Sequence, residues 1–147
     1  MEQENIQSLE DIIVLIDSKS KSFKFNYENK NFRECVISLY FVAENLIRYI
    51  LAVKGFYPKS HEGAHILLAQ HFIKVEAIDK ESYNFITNLY LRRKDAEYRG
   101  FVSFDEKDVK KYAGWVIAIS EDCLQFFKPK HKKVVSKFIK ETTETIK

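Results

Sequence analysis

Phe32, Val36, Leu39, Ala43, Leu46, Ile50 and Val53 recur at alternating steps of four and three residues. That spacing lines one side of a long α-helix and gives a strand, whose side chains alternate every second residue, no consistent face. A seam of this kind packs at a shallow angle against other helices of a bundle. Cys35, Ile47 and Leu51 widen the stripe, so this helix is expected to be contacted on two sides. Val109, Tyr112, Val116, Ile119, Cys123 and Phe126 repeat the pattern nearer the C-terminus. Two such seams commit a chain of 147 residues to an all-α bundle with no sheet. With only four Gly and two Pro there is little material for a succession of short strands and tight turns.

The other elements follow from their own signals. Ile6, Leu9, Ile13 and Ile16 predict a first helix over about residues 4–18, and 18–31 reads as a connector with aromatic residues docking on the bundle. Gly55 ends the central helix and Pro58 delays the next until Ser60, the expected N-cap of a short helix reaching about Val75. Asp79 is expected to cap the fourth helix, which stops at Gly100. Ser103 with Glu106 three residues on reads as the capping box of the fifth. Residues 1–128 are thus read as the bundle, and 129–147 as a basic extension with the apolar spacing of a further helix, whose removal would leave the bundle folded.

Six lysines and no acid lie between Lys128 and Lys140, either a solvated tail or a phosphate-contacting arm. The net charge of +3 is too small to imply nucleic-acid binding by itself. Cys35 and Cys123 sit in apolar helical patterns and read as reduced core residues. Met-Glu-Gln-Glu-Asn at the N-terminus lacks the basic and apolar regions of a signal peptide, and Glu44, Asn45 and Arg48 interrupt the longest apolar stretch. A cytoplasmic protein without a membrane segment is expected.

Chemistry is concentrated where polar residues occupy apolar faces. Phe85, Ile86 and Leu89 mark the inner face of the fourth helix, and Arg93 continues it, one turn before Glu97 and Tyr98. A guanidinium there requires a partner. Together with Glu44, Asn45 and Arg48 it forms either a satisfied network between two long helices, with an Arg–Glu pair fixing register, or an anion site. In the second case Arg93 would grip phosphate in two-pronged fashion, with Arg92 and Arg99 raising the local potential. His61-Glu62-Gly63-Ala64-His65 has the H-E-x-x-H spacing of zinc proteases, but it occupies a first helical turn, contains a glycine and implies no particular third ligand. No metal or cofactor is expected. Nucleophilic triads, glycine-rich phosphate loops and Cys-x-x-Cys pairs are absent from the sequence.

Several stretches, in order, resemble the HEPN family, in particular its compact single-domain prokaryotic branch, from about Asn31 to Lys128. They are Tyr40-Phe41-Val42-Ala43, then Arg48 with Ile50 and Leu51, Gly55, and Ser60-His61-Glu62-Gly63, similar to the family's [Ser/Thr]-His-x-Gly. Gln70 to Lys74 follows, and Arg93 to Tyr98 is similar to the branch's R-x-x-A-D-Y, with Arg92 as the alternative register. The resemblance implies an antiparallel bundle of four to five helices that forms homodimers. It implies either a metal-independent endoribonuclease or the partner of a small nucleotidyltransferase in a toxin–antitoxin-like pair that binds nucleotide or RNA. The ribonuclease site is an arginine followed within four to six residues by a histidine; here those positions hold Glu97, Tyr98 and Arg99. Arg93, Glu97 and Tyr98 are therefore the candidate catalytic positions, Arg92, Arg93 and Arg99 the candidate phosphate- or nucleotide-binding ones, and His61, His65 or His71 would have to approach from another helix. A binding module is favoured over an enzyme, and a purely structural heterodimer subunit is the third reading.

Overall fold

The computed structural model describes residues 8–147, and its axis is α2, Phe32–Val53. Around it pack α1 (Leu9–Glu28), α3 (His61–Leu68), α4 (Lys80–Tyr98) and α5 (Glu106–Cys123), while α6 (Lys132–Thr145) closes across α1 and α5. No strand occurs among the described residues. Fifteen of the 22 residues of α2 are buried, because four helices pack around it, beyond the contact on two sides that the widened stripe implies. By composition α2 could cross a membrane, yet 78% of its most apolar window is buried inside the fold.

The first helix is longer than its apolar repeat suggests. It runs through the expected connector to Glu28, while the expected start at Glu4 lies outside the described residues. Polar side chains conceal the continuation because they are satisfied locally or across the α1–α2 interface. Ser22 bonds Ser38 of α2 at 3.0 Å, the Lys19 ammonium sits 5.4 Å from the Phe41 ring centroid, and Phe23 is fully buried. Asp105, not Ser103, caps α5, in a reciprocal capping box with Asp108. The Glu106 carboxylate instead accepts from the Tyr27 hydroxyl at 2.7 Å and so ties α1 to α5.

Other boundaries follow local chemistry. Gly55, at φ 87°, closes α2 with paired bonds from Gly55 N to Ala52 O and Phe56 N to Leu51 O, the left-handed arrangement glycine adopts without a Cβ penalty. Ser60 caps α3 by accepting from Gly63 N at 2.9 Å. A Cβ at Gly63 would stand 2.9 Å from the Ser60 hydroxyl, so this serine–glycine spacing is a capping device. After Leu68 the chain loosens into a π-helical turn, Ala69–Ile73, short of the expected end at Val75. The basic C-terminal segment is helical, and its Val135 and Phe138 are buried in the main core. Both cysteines are free and buried, and burial pushes the Cys35 thiol up to about 12.

Candidate functional site

Helical spacing of about four residues puts Tyr40, Glu44 and Arg48 on one face of α2, His61 and His65 on one face of α3, and Tyr90, Arg93 and Glu97 along α4. The three faces converge. Tyr40, wholly buried, donates its hydroxyl proton to Glu44 Oε1 at 2.9 Å. Its oxygen lies 3.3 Å from both His61 Nδ1 and His65 Nε2. Since the Tyr40 proton points to Glu44, His65 Nε2 is the donor to that oxygen. His61 Nδ1 also bonds the Glu44 carboxylate, and Arg48 Nε stands 3.5 Å from its other oxygen. On the rim the Tyr90 hydroxyl bonds Glu62.

Arg93 enters this cluster from α4. Its Nε donates to Glu97 Oε1 at 2.7 Å. Its guanidinium carbon lies 5.5–5.8 Å from the ring centroids of Phe41, Tyr40 and Tyr90. His61 contacts the same three rings, at 5.6 Å from Tyr40, 5.5 Å from Tyr90 and 6.3 Å from Phe41. No described residue accepts a hydrogen bond from the terminal nitrogens of Arg93, and they are not among the fully buried unpartnered atoms. Arg93 is itself buried, 8% exposed, so this planar two-pronged donor meets solvent only at its edge, braced by rings and a carboxylate on its inner side.

The ion pairs run within helices, Glu44–Arg48 in α2 and Arg93–Glu97 in α4, so no Arg–Glu pair between them sets register. Hydroxyl, imidazole and ring contacts join the helices instead. Arg92 and Arg99 are directed elsewhere: both pair with the buried Asp95, at 3.2 and 2.7 Å. Tyr98 is 72% exposed, outside the cluster. His71 is also apart, stacked on Phe56 at 4.2 Å. The sequence marks Arg93, Glu97, Glu44 and Arg48 but not Tyr40 and Tyr90, because Tyr40, buried beside the α2 seam, looks like plain core and half-buried Tyr90 looks like its edge. The i, i+4 repeat of polar side chains from Tyr40 through Glu44 to Arg48 was the available signal.

Among the described residues no group of three or more His, Cys, Asp or Glu side chains is placed to hold a metal ion. The H-E-x-x-H residues serve the two tyrosines instead, His61 and His65 facing Tyr40 and Glu62 facing Tyr90.

Electrostatics follow from burial. Tyr40 ionises well above the usual phenol range, first because it is buried and then because Glu44 is beside it. The bond to Glu62 pushes Tyr90 up to about 12. Burial lowers the His65 pKa, against the opposing attraction of Glu44. An imidazole kept neutral in the fold but protonated in the unfolded chain contributes stability fully above its ordinary value of 6.5, and that contribution is lost as pH falls toward the folded value. Urea unfolding should thus show lower stability at about pH 5 than at about pH 7.5, and His65→Asn should flatten that difference. The carboxylates with lowered pKa values, Glu10, Glu62 and Glu106, act below their ordinary 4.5 and leave this window clear. Equal slopes in variant and wild type would remove His65 from the account.

A bundle with an arginine fork on its fourth helix and an imidazole pair on its third, both packed on the rings of Tyr40 and Tyr90, is the class of molecule this fold defines. The HEPN domain profile matches residues 17–126, and the chain belongs to the HEPN family. It is similar to a protein of Methanocaldococcus jannaschii named as a candidate toxin, 26% identical over 99 residues, covering 65% of this chain and 67% of the relative. A UPF0332 protein of Thermotoga maritima is 25% identical over 89 residues, covering 60% and 67% respectively.

Proposed function

We propose that this chain is a cytoplasmic HEPN-type binding protein, acting as a homodimer, that recognises the phosphate of a nucleotide or RNA through Arg93. In this reading it is the partner of a small nucleotidyltransferase in a toxin–antitoxin-like pair. The observation that carries it is the fork of Arg93, whose terminal nitrogens have no partner among the described residues and whose position is held by three rings and Glu97. Such a donor is preorganised for an oxyanion, so little ordering is needed when phosphate arrives. Similarity to a relative named as a candidate toxin supports the paired-system part.

Arg93→Ala is expected to weaken RNA or nucleotide binding by about 30- to 100-fold, the worth of a charge-assisted two-pronged contact. Arg93→Lys, which keeps the charge but not the fork, should recover only part. Fluorescence anisotropy with labelled RNA, alongside circular dichroism to confirm folding, measures both. Unchanged binding in a folded Arg93→Ala protein would leave only a structural subunit.

A second reading, metal-independent RNA cleavage, is favoured by one observation: His61, bonded to Glu44, contacts the same rings as Arg93. The histidine missing from α4 is thereby supplied by α3, as base for a 2′-hydroxyl, with Arg93 stabilising the phosphorane charge. Incubating RNA with the pure protein in EDTA separates the readings. Cleavage abolished by both His61→Ala and Arg93→Ala would establish the enzyme, and intact RNA at saturating protein would leave recognition alone.

A further inference from the structure

The Arg93 cluster leaves the basic face of the molecule without a role. Between Lys128 and Lys140 stand six lysines and no acid, and of these Lys130 alone pairs with a described acid, Glu10 at 3.1 Å. The inner side of α6 is core, so Lys133, Lys137 and Lys140 project from its outer side. The Glu10–Lys130 pair sets the starts of α1 and α6 side by side, and between the two helices runs a groove of about 300 Å³. Ile13, Val14 and Val134 form its apolar surface, and Lys133, Lys137 and Asp17 are its charged groups.

The groove is electrically unbalanced. Asp17 is engaged by Lys21 at 2.9 Å, whereas Lys133 and Lys137 make no ion pair with another described residue. They stand one turn apart, roughly 5–6 Å between Cβ atoms. Beside them Val14 is 65% exposed. Steps of four, three and four carry the same outer stripe of α1 through Ser18 and Lys21 to Phe25, itself 63% exposed. An aliphatic floor beside two spaced ammonium groups matches a partner that brings apolar side chains and carboxylates together. Nucleic acid fits less well, because the groove holds no ring on which a base could stack, and the Asp17 carboxylate repels phosphate. A small ligand would stay largely wet in a groove walled by two helices alone.

We infer that the α1–α6 groove docks an acidic amphipathic helix of another protein. Two carboxylates of that helix, one turn apart, meet Lys133 and Lys137, and aliphatic side chains on its adjoining positions cover Ile13, Val14 and Val134. Val14 to Phe25 spans about 16 Å, so a partner helix of about three turns reaches from the groove to the exposed ring. The inference uses no residue of the Arg93 cluster and stands independently of the phosphate reading.

The test uses the full chain, isotopically labelled for NMR, and a synthetic peptide of about 16 residues in which Glu recurs every fourth position beside Leu. Amide shifts are expected along α1 from Ile13 and along α6 from Lys133 to Lys140, with a dissociation constant of roughly 10–100 µM, that of a small transient interface. Charge reversal by Lys133→Glu/Lys137→Glu should weaken binding roughly 10- to 30-fold, and added salt should weaken the wild type. Val14→Ser should lose roughly 3- to 10-fold. These three side chains are exposed, so circular dichroism should not change. A peptide with Gln for every Glu makes the charge test on unaltered protein and should bind at least about 10-fold more weakly. Arg93→Ala should bind the Glu peptide as wild type does. Equal binding of the Glu and Gln peptides would overturn the proposal, as would the absence of shifts at about 1 mM peptide. So would oligouridylate moving the same amides at lower concentration, which would make this face a phosphate arm. Dissociation of a wild-type oligomer by the charge reversal would make it an interface between copies and overturn the proposal too.

Discussion

A chain ending at Phe127 is expected not to fold. The reading of residues 129–147 as a dispensable basic extension follows their charge, but the inner side of α6 is core: Val135 is 0% exposed, Phe138 1% and Thr142 3%. The segment before it is also anchored inside. Tyr49, fully buried, stacks on Phe127 at 3.8 Å, bonds His131 Nδ1 at 2.6 Å and accepts from Lys128 N at 3.2 Å. Truncation removes the last two contacts and uncovers apolar faces of α1 and α5. Phe138→Ala alone should cost about 3–5 kcal/mol. Against a net stability of about 5–15 kcal/mol, losing Phe138, Val135 and the Tyr49 partners together is expected to exhaust the margin. Thermal melts by circular dichroism provide the measurement. A truncated chain with a cooperative transition near that of wild type would show that α6 is an appendage after all.

Glu44→Ala is expected to be the most damaging change within the site, costing about 3–5 kcal/mol. The carboxylate is 5% exposed and meets Tyr40, His61 and Arg48. Its removal takes away the acceptor of the Tyr40 hydroxyl proton, leaving that buried group only the two imidazoles at 3.3 Å, and leaves the Arg48 charge, with its side chain 19% exposed, without an acid. Arg48 retains its 2.7 Å bond to Pro58 O, which orients the side chain but does not balance its charge. Glu44→Gln keeps an acceptor for Tyr40 and should cost less, about 1–2 kcal/mol. Urea titration of the three proteins ranks them, and a Glu44→Ala loss under about 1 kcal/mol would mean that water replaces the carboxylate freely.

How much was legible beforehand depended on whether a residue's role was local or distributed. The α2 and α5 seams, the Gly55 stop and the Ser60 and Asp79 caps each involve residues a few positions apart, and each stands where spacing placed it, except that Val53 is exposed at the end of α2 and Phe126 falls in the turn after α5. Errors arose where partners lay on another helix. The second half of α1 looked irregular because Ser22 and Lys19 find their partners on α2. Glu106 looked like half of a capping box because its bond to Tyr27, distant in sequence, was invisible.

The same division runs through the site. Sequence alone determined the helical class, the family resemblance and the presence of an arginine on an inward face, because periodicity and motif order are properties of one strand of text. Tertiary structure decided which charges cancel. Asp95 turns Arg92 and Arg99 toward itself and Glu97 holds only one nitrogen of Arg93, while α3 delivers His61 and His65 to Tyr40. These are matters of a few ångströms between side chains far apart in the chain, and electrostatic strength and hydrogen bonding depend on distances at that scale.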